Sequence, residues 1–190
     1  LLANGVDRSP GLDPTVPPAT PAAPAAEIAP WRTAAEDFAA EHDRIRHQSV
    51  EDGMCSSRNL VRGVTADGTG LLDPAPLVTD GRMPSEGTRW SVPEAVRWAD
   101  GSGDLRIDLG VVRRVRRLVL QGDNNDDYVV DGSLDGASYD PLWFAPRVPL
   151  PGLRRREGRL DQPSRARYLR VRVIGGDGYY SLSELEASCR

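Results

Sequence analysis

The sequence predicts an all-β sandwich or barrel, on three observations. Leu105, Ile107 and Leu109 alternate with Arg106 and Asp108, the period-2 pattern of a half-buried strand. Two more runs rich in branched residues, 115–120 and 128–134, follow at short intervals. The joints are polar and carry Gly110, Gly122 and the turn dipeptide Asp135-Gly136. Strands this closely spaced leave no room for crossover helices, which argues against a βαβ unit.

The remaining elements follow in chain order. Residues 1–30 are low in complexity and rich in Pro and Ala, which favours extended polyproline-like chain. They read as a linker or stalk, or else as a tail without a role. Residues 31–50 predict one amphipathic helix. Thr33 and Glu36 form a capping box, and Trp31, Ala35, Phe38, His42 and Ile45 recur at helical spacing. Residues 51–190 form the candidate domain. Arg58 to Thr65 reads as its opening strand, followed by a loop-rich passage through Asp67-Gly68, Asp73-Pro74 and Asp80-Gly81. Thr88-Arg89-Trp90 leads to a short run ending at Trp98. Residues 139–144 predict a strand with Trp143 buried. After a Pro-rich loop, Leu169, Val171 and Val173 alternate with Arg170 and Arg172, and residues 181–189 close the fold.

Composition narrows the function. The chain has 190 residues, a formal charge of −4, 39% hydrophobic and 27% charged residues. That suits one soluble domain plus a tail, and no run reaches the length of a membrane span. All 24 basic residues are Arg, the codon signature of a GC-rich bacterial genome. A net acidic chain is a poor nucleic-acid binder, because phosphate neutralisation drives such binding. The sequence carries no G-x-S-x-G, HExxH, CxxC, Walker loop or GxGxxG. Its only histidines, His42 and His47, lie outside the candidate domain, so no enzyme is expected.

"DLRIDLG", "YVVDGSLDG" with Trp143 following, "ARYLRVRV", "LSELEASC", "RNLVRGVTAD" and "VTDGR…TRW" together resemble the discoidin family, also called the coagulation-factor type C family. The resemblance runs from Cys55 to Cys189. It implies an eight-stranded antiparallel jelly-roll β-sandwich of the galactose-binding type, usually a non-catalytic binding module. It also implies a disulfide between Cys55 and Cys189, which bracket the domain; the first and last strands of a jelly roll can lie side by side. The alternative is two unrelated buried thiols. A bridge places the protein in an oxidising, extracytoplasmic compartment. Without an initiator Met or a signal peptide, the chain is expected to be the end of a larger bacterial protein, attached to an upstream membrane or secreted segment.

Two candidate sites follow. The resemblance implies structural Ca²⁺ held by Asp80, Thr88 and Glu184; the Asp80–Thr88 spacing is long for the family, and a metal-free loop is the alternative. It also implies ligand loops at one end of the sandwich, carrying exposed aromatics. Tyr179, Tyr180 and Trp98 are the aromatic candidates, with Asp123, Asn124, Asn125 and Asp126 as hydroxyl partners. The polar cluster, taken as a hairpin tip, also reads as simple turn geometry. It fails as an EF-hand, because Tyr128 stands where that loop needs Gly. The two tyrosines point to opposite faces if extended, so one is expected to be exposed. The favoured function is carbohydrate binding. Alternatives are adhesion to anionic lipid or acidic polysaccharide through Arg113, Arg114, Arg116, Arg117 and Arg154–Arg156, or a structural appendage of a membrane enzyme such as a glycosyltransferase.

Overall fold

The computed structural model describes residues 55–190. The linker 1–30, the helix 31–50 and both histidines lie outside the described residues. Within them the chain forms seven strands: β1 (Ala66–Thr69), β2 (Val96–Arg97), β3 (Asp104–Asp123), β4 (Asp127–Ser133), β5 (Asp140–Ala145), β6 (Leu153–Gly175) and β7 (Ser181–Ser188). One turn of 3-10 helix, Ala75–Thr79, interrupts the first loop. Every strand pairing is antiparallel.

Two strands are long enough to serve both layers of the sandwich. The β3–β6 register slips between Asp108 and Arg113 and again between Val115 and Arg117. Before the slips, β3 lies between β1 and the second half of β6, which continues to β4 and β5. After them, β3 lies between the first half of β6 and β7, with β2 at the far edge. Gly110 sits at the first slip with φ of 78°, a left-handed conformation that a side chain resists. The two runs 105–109 and 115–120, expected as separate strands, are therefore one bent strand. The jelly-roll sandwich is formed, with bends where the sequence pattern shows breaks.

Alternation places the core. Leu105, Ile107, Leu118, Leu120, Tyr128, Leu169, Val171, Leu182 and Leu185 are fully buried. Each large apolar side chain contributes about 1.5–3 kcal/mol by leaving water. Trp143 is half-buried, short of the full burial expected, and its indole covers Gly158 so closely that a Cβ there would overlap it.

The opening of the domain departs from expectation. Residues 58–65 are loop; the first strand begins at Ala66 and pairs with β3, not with the final strand β7. The loop itself lies along β7. Leu60 N–H donates to the Ala187 carbonyl at 2.7 Å, and Cys189 N–H to that of Ser56 at 3.2 Å. Asn59 Oδ1 accepts from Ala187 N–H, so a side chain replaces one rung of a ladder. These bonds bring Cys55 and Cys189 to a Cα separation of 5.1 Å, and the two form a disulfide.

Candidate functional site

Loops gather at the end of the sandwich where β3 stops, β4 starts and β6 gives way to β7. Asn125 Nδ2 donates to Asp177 Oδ2 at 2.7 Å, joining the β3–β4 and β6–β7 loops. Val148 N–H donates to the Asn124 carbonyl at 2.7 Å and brings in the β5–β6 loop. The Trp90 and Tyr179 rings lie 5.6 Å apart at 41°, so the loop before β2 joins as well. The β3–β4 turn is an arch between the layers, not a hairpin, because β3 and β4 do not pair.

Beneath this end lies a buried polar knot. Arg156 is buried and donates to the main-chain carbonyls of Asp126 and Asp123, both at 2.8 Å. Its guanidinium also stands 4.9 Å from the Tyr128 ring centre. The Tyr128 hydroxyl is 2.9 Å from Asp126 Oδ2 and 2.6 Å from the Ser181 carbonyl. One phenolic proton cannot serve both acceptors. Burial pushes the Asp126 carboxyl up to about 7, with Asp123 and Asp177 adding repulsion against the pull of Tyr128 and Arg156. Protonated, Asp126 donates to the Tyr128 oxygen while Tyr128 donates to Ser181.

The sequence-derived ligand residues therefore separate into two groups. Tyr179 is 62% exposed at the loop end, and Asn124 and Asn125 are half-exposed beside it. Asp123 and Asp126 are buried as parts of the knot, so they are not surface hydroxyl partners. Tyr180 packs against the core cluster, its ring against Gly101. Trp98 is only 3% exposed and shares the core, so its face is closed to a ligand. Trp90 and Asp177 complete the surface, and sequence reasoning missed both. Their separation from Tyr179 and Asn125 along the chain hides their proximity.

Of the three sequence-derived metal residues, Glu184 and Asp80 are near enough for their charges to act on each other, while Asp80 Oδ1 accepts from Arg82 N–H. Glu184 is 1% exposed; its Oε2 accepts from Gly81 N–H at 3.2 Å, and its buried Oε1 has no hydrogen-bond partner. Burial raises its carboxyl to about 8, and neighbouring Asp80 and Glu186 push the same way. Thr88 Oγ instead donates to the Ser85 carbonyl at 2.6 Å. The orphaned buried Glu184 oxygen is the kind of donor a hard divalent cation takes. Among the described residues, no three His, Cys, Asp or Glu side chains converge on a metal position.

The arginine runs are paired in part. Arg117 bonds Glu157 at 2.6 Å, Arg155 bonds the same carboxylate at 2.8 Å, and Arg154 reaches Glu86 at 3.4 Å. Such pairing offsets charge at Arg117, Arg154 and Arg155, while Arg113 and Arg114 line a surface pocket with Arg58 and Arg62.

No family model and no curated protein matches the sequence. Solved structures do match in fold. The chitosan-binding module 1 of a Paenibacillus sp. IK-5 chitosanase/glucanase aligns with TM-score 0.53 and 20% identity, covering 68% of this chain and 98% of its own. A Streptococcus pneumoniae fucose binding module aligns with TM-score 0.54 and 14% identity over 70% and 96%. The family 32 CBM from C. perfringens NanJ, in complex with galactose, aligns with TM-score 0.51 and 18% identity over 65% and 92%. The chain is thus similar in fold to carbohydrate-binding modules along nearly the whole of their length.

Proposed function

We propose that this chain is a non-catalytic carbohydrate-binding module, working outside the cytoplasm, whose saccharide sits on the loop end. The carrying observation is the exposed Tyr179 ring beside Trp90, flanked by the Asn125–Asp177 amide–carboxylate pair. An aromatic face covers the apolar side of a pyranose, and paired polar groups fix its hydroxyls. The fold neighbours, described as binding chitosan, fucose and galactose, support a glycan ligand. The disulfide supports an oxidising compartment.

A glycan array, followed by affinity electrophoresis on the positive glycans, tests the reading. Tyr179→Ala is expected to weaken binding about tenfold, the loss of roughly 1.4 kcal/mol of stacking and burial. Tyr180→Ala is expected to lower the melting temperature instead, because that ring belongs to the core. Unchanged glycan affinity in both Tyr179→Ala and Trp90→Ala would sink the assignment.

The reading includes a structural Ca²⁺ held by Glu184 and Asp80, with Thr88 and main-chain carbonyls as further oxygen donors. The ion would tie the 80–88 loop to β7 and take no part in chemistry. Added Ca²⁺ is expected to raise the melting temperature, by about 2–3 kcal/mol of stability at a hundredfold excess over its dissociation constant. Glu184→Gln should abolish that response. A melting curve indifferent to both Ca²⁺ and chelator removes the ion from the picture.

A further inference from the structure

Outside the loop end, the outer face of the sandwich holds a second concave surface. In β3 and β6 the inward turn of Leu105, Ile107 and Leu169 forces Arg106, Asp108 and Tyr168 outward. Register sets Asp67 of β1 opposite Arg106, and Tyr168 opposite Asp108. The β4–β5 loop folds over the far side with Asp135 and Tyr139. Together these six residues line a groove of about 360 Å³ across the strands, within the range of small-ligand sites.

Two features set its chemistry. Both rings are pinned: Arg167 lies 4.9 Å from the centre of Tyr168 and Arg170 lies 4.2 Å from that of Tyr139, yet neither arginine lines the groove. Most charges on this face are paired, Arg106 with Asp104, Arg167 with Asp108, and Arg170 and Arg172 with the buried Asp131. Asp67 and Asp135 are the exceptions: among the described residues no guanidinium bonds either carboxylate, and Asp67 acts on Arg106 only through space. Asp135 Oδ1 is taken by the turn, accepting from Ser133 Oγ and the Ala137 and Ser138 N–H groups, all at 2.9 Å. Those bonds hold its carboxyl down at about 2, so it stays charged.

We propose that this groove is a second saccharide site, selective for sugars bearing a protonated amine, with Tyr139 and Tyr168 under the rings and Asp67 and Asp135 on the ammonium groups. It is independent of the loop-end reading, because the two surfaces share no residue.

Isothermal titration of the full chain with a glucosamine tetrasaccharide, and with its fully N-acetylated counterpart, tests the proposal in the Tyr179→Ala background. The amine form is expected to bind, more weakly as salt rises, and the acetylated form at least about fivefold more weakly. Among the described residues the Asp67 carboxylate accepts no hydrogen bond, so Asp67→Asn should leave the melting temperature nearly unchanged while costing about fivefold in affinity for the amine form. Equal affinity for the two saccharides, or an affinity untouched by Asp67→Asn, overturns it. Binding that is present in wild type and absent in Tyr179→Ala also overturns it, assigning the amine form to the loop end while leaving the loop-end reading intact.

Discussion

Asp126→Asn is expected to stabilise the protein above pH 7 and to change little near pH 4. The Asp126 carboxyl titrates at about 7 in the fold, against an ordinary value of 3.8. A group raised by folding supports the native state fully below the unfolded value, and that support is lost as pH climbs through the folded value. The window is therefore about pH 4 to 7, and the loss across it is on the order of 4 kcal/mol. Asparagine keeps the shape of the neutral acid and has no proton to lose. Its amide donates to Tyr128 as the protonated carboxyl does. Arg156, Tyr128, Asp123 and Asp177 surround the site in both proteins, so the difference between the two melting curves isolates Asp126. Wild type and variant running parallel from pH 4 to 8 would show that the carboxyl is ionised throughout.

Opening the disulfide should have an effect at least as large. Cys55 and Cys189 close a loop with a sequence separation of 134. In the chain-entropy model such closure is worth about 5 kcal/mol, all of it through the unfolded state. Cys55→Ser with Cys189→Ser is expected to lower the melting temperature by roughly 10–20 °C, with the near-ultraviolet circular dichroism retained at low temperature. The fold should persist because Leu60, Ser56 and Asn59 still bond the main chain of the last strand. Calorimetry with and without reductant provides the same comparison on the unaltered chain. Oxidised and reduced forms melting within about 2 °C would mean that the bridge adds nothing beyond those bonds.

How much of the structure is legible in the chain depends on whether the signal is local. Leu105, Ile107 and Leu109 announce a strand because alternation needs only neighbours. The same holds for Leu169, Val171 and Val173, and both runs lie where expected. Residues 58–65 look strand-like through Leu60, Val61 and Val64, yet beside the main-chain bond from Leu60 to Ala187 it is the Asn59 side chain that takes the next rung. Asp123 and Asp126 resemble solvated loop residues until Arg156, some thirty positions later, covers them. Tyr179 and Tyr180 are identical in type and adjacent, so only the packing of Gly101 against one ring distinguishes them. Trp90 carries no mark in the sequence of its partnership with Tyr179. Backbone pattern was legible, then, and the surface that depends on distant loops was not.

The way β3 and β6 thread through both layers has a consequence for how the molecule comes apart. Neither layer owns a complete set of strands, so opening one also displaces β3 and β6 from the pairings that support the other. Native-state hydrogen exchange should accordingly find a single cooperative block spanning Leu105, Leu120, Leu169 and Leu153, with only edge segments such as Val96–Arg97 opening on their own. A pull on the loops at one end would then be shared by one cooperative body.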